Sequence, residues 1–172
     1  MSFREKALQS PHSFLTPTMT SKQRGILWAI FLLGLVSMLG SLYFSNYGDP
    51  VANILAGTPF PEGGGFFPCN LCWWARICMY PIMAVSLIGI IRRDIYSIWY
   101  ILPLSAFGVL VSGYHTLIQQ LPSAAILPCD TSNPCTYNPV EYFGFISIPM
   151  LAVAAFVLIT VLAIEIWPRK AK

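Results

Sequence analysis

Four stretches of this chain are long and apolar enough to cross a lipid bilayer, and they constrain its fold more than any other feature. Residues 25–47, 95–121 and 142–164 carry no charged side chain over 23, 27 and 23 positions, and residues 73–91 carry one, Arg76, over 19. A transmembrane helix needs roughly 20 consecutive apolar residues. The pattern therefore predicts an all-α membrane protein, a bundle of four transmembrane helices. Composition agrees: 56% of residues are hydrophobic, 10% are charged and mean hydropathy is +0.64, a balance foreign to a soluble domain.

The basic residues set the orientation. Arg4, Lys6, Lys22 and Arg24 precede the first span, Arg92 and Arg93 separate the second from the third, and Arg169, Lys170 and Lys172 follow the fourth. The two longer connections contain Asp49, Glu62, Asp130 and Glu141 but no Lys or Arg. By the positive-inside rule both termini are expected in the cytoplasm, with loops 48–72 and 122–141 facing outward. The chain then divides into a cytoplasmic tail 1–23, a four-helix membrane domain 24–167 and a cytoplasmic tail 168–172. The first apolar run exceeds the ~7–15-residue core of a signal peptide. No small-x-small site follows it, so it reads as an anchor. The basic clusters are short and flank spans, so topology explains them and a nucleic-acid partner is not needed.

Within this frame most features have a structural explanation. Gly34, Ser37, Gly40, Ser41 and Ser45 recur at roughly helical spacing in the first span and read as a close-packing face. Gly63-Gly64-Gly65 in the first outer loop reads as a connector or a hinge, and residues 51–55 as a short apolar turn at the interface. Pro81, Pro103 and Pro149 are expected inside spans two to four, where neighbouring groups satisfy the freed carbonyls.

The cysteines need a different explanation. Cys69 and Cys72 open the second span, and on a helix Cys69, Cys72 and Arg76 share one face. The helix dipole and the cation favour thiolates there, and the thiolate is the attacking species in disulfide exchange. A second outer pair, Cys129 and Cys135, brackets Asp130 and Asn133, residues that form turns. Cys78 lies within the span and reads as a small apolar filler. His115 lies about 9 Å from the outer end of the third span at the usual helical rise, level with Cys72 and Arg76. It is read either as a site residue or as a histidine bonded within the bundle.

Three uses of the four outer cysteines compete. Structural staples fit poorly, because Cys-x-x-Cys closes too small a ring to gain much entropy. Zinc fits poorly, because the second spacing is longer than the usual ~2–4 residues and no histidine is expected to support it. Haem attachment would need His after Cys72, where Trp73 stands. Redox work explains the adjacent cation and the outward location, with electrons entering at the exposed pair and leaving at the pair by the membrane. A lipid-dissolved acceptor is a quinone, whose developing charge Arg76 can stabilise. His115 can bond a carbonyl or deliver a proton.

The ordered set Pro68-Cys69-x-x-Cys72-x-x-x-Arg76, Ser112-x-Tyr114-His115-x-x-Ile118-Gln119, the second outer pair and Phe143-Gly144-Phe145-Ile146-Ser147-Ile148-Pro149 resembles the DsbB family of disulfide-bond-forming membrane proteins, particularly its compact BdbC-like branch. The likeness covers about residues 25–167. It implies a quinone-dependent thiol-disulfide oxidoreductase of the bacterial cytoplasmic membrane that reoxidises an extracytoplasmic, thioredoxin-like DsbA-type dithiol oxidase. It further implies redox-active pairs Cys69–Cys72 and Cys129–Cys135. Cys129 would meet the partner, Cys69 would exchange with the outer pair, and Cys72 would face ubiquinone or menaquinone beside Arg76 and His115, with no metal. The outer pair is closer in sequence than in proteobacterial members. The rivals are a scaffold or assembly factor with stapled loops and a transporter whose pathway Arg76 and His115 line.

Overall fold

The computed structural model describes residues 19–57, 64–124, 126, 134–136, 141–142 and 146–167. Its framework is four long helices: α1 (Ser21–Tyr47), α3 (Asn70–Arg92), α4 (Ile98–Gln120) and α5 (Ile148–Glu165), with a short α2 (Pro50–Leu55) after the first. All four are apolar enough to cross a membrane, with α4 extended by the 3₁₀ turn Ile95–Ser97. The main contacts join α1 to α3 and α5, and α4 to α3 and α5, closing a four-helix ring. Both termini of the bundle meet at one end, where Lys22 pairs with Glu165 at 2.7 Å.

Local chemistry sets the helix ends. Thr20 caps α1 with a reciprocal bond to Gln23, so the helix starts ahead of the charge-free run. At the end of α3, Arg93 takes the left-handed conformation with φ 54°. Asp94 then accepts from the Tyr96 backbone at 2.9 Å, turning the chain into α4. Pro81 and Pro103 lie inside α3 and α4 as expected. Pro149 does not lie inside α5: it stands in the first turn, where its missing N–H costs no helical bond. The preceding residues form a two-strand pair, β1 (Glu141–Tyr142) with β2 (Ile146–Ser147), so the helix begins later than the run at Tyr142.

The main core is a cluster distinct from the smaller buried group around Cys69 and Cys135. Leu27, Ile30, Ile82, Ile98, Ile101 and Phe156 are fully buried there. Gly34 admits Met83 and Gly108 admits the Phe156 ring, so small residues let the backbones approach. Thr160 donates to Ser105 at 3.0 Å between α5 and α4. The outward faces, including Val36, Ile91, Leu110 and Val161, are apolar and exposed, as a lipid-facing surface requires.

Candidate active site

Cys69 ends a strap that lies along the top of α1. Phe66 N–H donates to the Phe44 carbonyl at 2.9 Å, and Gly65 rests so near the Ser45 carbonyl that a Cβ would collide with it. Of the triple glycine, Gly63 lies outside the described residues. The strap delivers Cys69 as the N-cap of α3, with no side-chain cap bond of its own. One turn on, Cys72 brings its Sγ to 3.3 Å from Cys69 Sγ, and both are free thiols.

His115 of α4 closes on the same point. Its buried ring places Nε2 3.7 Å from Cys69 Sγ and 3.1 Å from the backbone oxygen of Cys135. Cys135, expected in the exposed pair, is instead buried against the Cys69 end of α3, and it is disulfide-bonded. It shares one buried cluster with Cys69, Leu71 and Ile118. Its expected mate, Cys129, lies outside the described residues, as do Asp130 and Asn133. A carbonyl oxygen only accepts, so the bond to Cys135 assigns the proton to Nε2. In that tautomer His115 offers the sulfurs a proton rather than a lone pair. The ligand atoms of Cys69, Cys72 and His115 nevertheless lie within 4.8 Å of one another. The bundle thus brings to the pair the histidine that the linear spacing did not.

Cys69, just outside the membrane-spanning part of α3, has its thiol lowered to about 4. The main cause is the hydrogen bond with Cys72; the His115 bond and charge add to it, while burial opposes. The helix N-terminus favours the same anion. Both causes favour the anion at Cys69.

Arg76 lies below the thiols as the spacing predicts, but its donors turn to α1. Nε donates to Ser41 Oγ at 2.8 Å and Nη2 to the Ser41 carbonyl at 3.1 Å and to Ser45 Oγ. The guanidinium also lies 5.4 Å from the centre of the Trp73 ring, within reach of a cation–π contact. Ser41 and Ser45 are the residues that sequence reasoning missed as site residues. The available signal was a charge inside a span, which must find polar partners at its own depth. Cys78 is buried in the apolar core beside Met79 and Ile82, apart from the site cluster.

Cys69, Cys72, Arg76 and His115 line one cavity of about 920 Å³, whose apolar walls include Phe44, Met79 and Phe156. That is the size and character of a small-molecule site. The structure thus brings together four of the six residues read as site residues around one space and packs Cys135 against Cys69 beside it.

Comparison with known proteins places this arrangement among others. The profile of the family described as "DsbB: Disulfide bond formation protein DsbB" matches residues 46–166. "Disulfide bond formation protein C" of Bacillus subtilis (strain 168) is 38% identical over 136 residues, 78% of this chain and 87% of that protein. "Probable disulfide formation protein C" of Halalkalibacterium halodurans is 36% identical over 157 residues, 88% of this chain and 100% of that protein. No solved structure matches the chain.

Proposed function

This chain belongs to the DsbB family of disulfide bond formation proteins, and from that membership we propose that it oxidises a thioredoxin-like, DsbA-type dithiol partner and passes the electrons to a membrane quinone, ubiquinone or menaquinone. Family and helices together make it a multi-pass membrane protein of disulfide formation. The finer reading puts it in the bacterial cytoplasmic membrane, with segments 1–23 and 168–172 in the cytoplasm and loops 48–72 and 122–141 outside. The charge distribution supports that orientation.

One observation carries the reading: a free dithiol, Cys69 and Cys72, lines an apolar cavity with Arg76 and stands against a disulfide-bonded Cys135. In our reading Cys129 and Cys135 are the partner-facing pair. A partner dithiol reduces their disulfide, and a thiolate so formed attacks the Cys69–Cys72 bond. Two exchanges leave the outer pair oxidised and the inner pair holding two electrons as thiols.

The cavity suits a quinone by size, by apolar walls and by the Arg76 cation at its side. A bound quinone supplies a two-electron, two-proton acceptor. Arg76, fixed by Ser41 and Ser45, would stabilise negative charge opposite the sulfurs, and His115, lining the same cavity, has a proton to hold there. The deciding experiment mixes purified protein, a reduced thioredoxin-like partner and quinone in detergent and follows quinol formation. Stoichiometric quinol is expected. A chain that consumes neither dithiol nor quinone would be a stapled scaffold instead.

A further inference from the structure

We propose that His115 is a positioning residue for exchange between the two cysteine pairs: its Nε2–H seats the backbone of Cys135 against Cys69. This goes beyond the cavity-lining role above and rests on the reading that the pairs exchange.

The argument begins with the chain's own geometry. Cys69 is the N-cap of α3, and Cys135 lies in the connection between α4 and α5, far from it along the chain. Exchange needs an attacking sulfur, the sulfur attacked and the leaving sulfur to align, so the outer segment must be brought to a fixed position. Among the described residues, Tyr114 Oη of α4 accepts from the Ile126 backbone at 2.9 Å, and His115 Nε2 meets the Cys135 oxygen at 3.1 Å. Only the second lies beside the reacting sulfur, 3.7 Å from Cys69 Sγ. His115 is 4% exposed, and an unmet Cys135 oxygen would leave a buried acceptor.

The step itself conserves electrons. The Cys69 thiolate attacks Cys135 Sγ, a Cys69–Cys135 bond forms, the bond from Cys135 to its mate breaks, and the mate leaves as a thiolate. Run backwards, the same step carries electrons toward the membrane. The Nε2 proton bridges both participants, donating to the Cys135 carbonyl throughout and facing the Cys69 sulfur whenever that sulfur is an anion.

The test isolates this contact from quinone chemistry. In a full-length Cys72→Ser, Cys129→Ser background, Cys69 and Cys135 remain as the pair to be joined, and diamide-driven formation of their bond is followed by quenched mass spectrometry. His115→Leu, of similar bulk without a donor, is expected to slow it about tenfold or more, as loss of orientation does. His115→Gln, which keeps an N–H at that reach, is expected to recover most of the rate. With native cysteines, His115→Leu should lose more quinol formation with a thioredoxin-like donor than with dithiothreitol, which can reduce the inner pair directly. Bond formation at the parent rate in His115→Leu, a Gln variant no better than Leu, or equal losses with both donors would each overturn the proposal. If the unaltered protein reduces no quinone, the functional reading fails, while the Cys69–Cys135 assay still decides the role of His115.

Discussion

Arg76 of α3 donates from Nε to Ser41 Oγ of α1 at 2.8 Å, which ties the two helices together at the depth of the dithiol. With the Ser41 carbonyl and Ser45 Oγ also engaged, the guanidinium has a fixed direction and its charge is not stranded in the apolar bundle.

Replacing both serines should therefore affect quinone use before it affects exchange. Hydrogen bonds to charged groups contribute about 1.5–3 kcal/mol in soluble proteins, but interhelical bonds in membranes average only about 0.6 kcal/mol. The membrane reference state keeps partners for an unfolded helix, so the smaller figure sets the scale. For Ser41→Ala, Ser45→Ala we expect a loss of about 1–2 kcal/mol and a rise in the quinone KM larger than the fall in kcat. Ser41→Thr should retain the parent KM. Steady-state quinol assays and thermal melting check this, and an unchanged KM in the double variant would remove the serines from the site.

Cys69 should stay reactive in acid. Its thiol is lowered to about 4, so the folded, reduced protein holds the thiolate at neutral pH and loses it only as pH falls through that value. Iodoacetamide labelling of Cys69, read by peptide mass spectrometry, should remain level from pH 8 to about pH 5 and drop below it. Labelling that falls away between pH 9 and 7 would show an ordinary thiol.

Gly65→Ala should displace the strap that carries Cys69. The added Cβ would meet the Ser45 carbonyl, which is backbone and cannot swing aside, and overpacking of this kind costs about 1–3 kcal/mol. The dithiol is expected to lose reactivity along with stability, measured as a slower reoxidation of reduced protein by quinone. Gly40→Ala serves as the contrast, because a Cβ there meets nothing within 4 Å, and it should leave melting where it was.

Cys72→Ser and Cys78→Ala should separate chemistry from packing. The first removes a sulfur at 3.3 Å from Cys69 and should abolish quinol formation. The second trims a side chain buried in the core, at a cost of about 1 kcal/mol, with turnover retained. Turnover surviving in Cys72→Ser would remove the inner pair from the electron path.

How much of this was legible beforehand follows from what kind of information each feature needs. The number of spans, the pairing of Cys69 with Cys72 and the face shared with Arg76 depend on length, polarity and helical period, all of which are local properties of the chain. Even Pro149 was misjudged only in position, because the two-strand pair before it postponed the helix. Which helix packs on which was not legible: a span that is apolar on every side has no polar face to point outward, so periodicity cannot choose neighbours. Only folding in three dimensions decided that Arg76 spends its donors on Ser41 and Ser45, and that His115 Nε2 reaches both Cys69 and Cys135. Both relationships join groups far apart along the chain, and they exist because buried charges and buried N–H groups must find partners wherever packing happens to supply them.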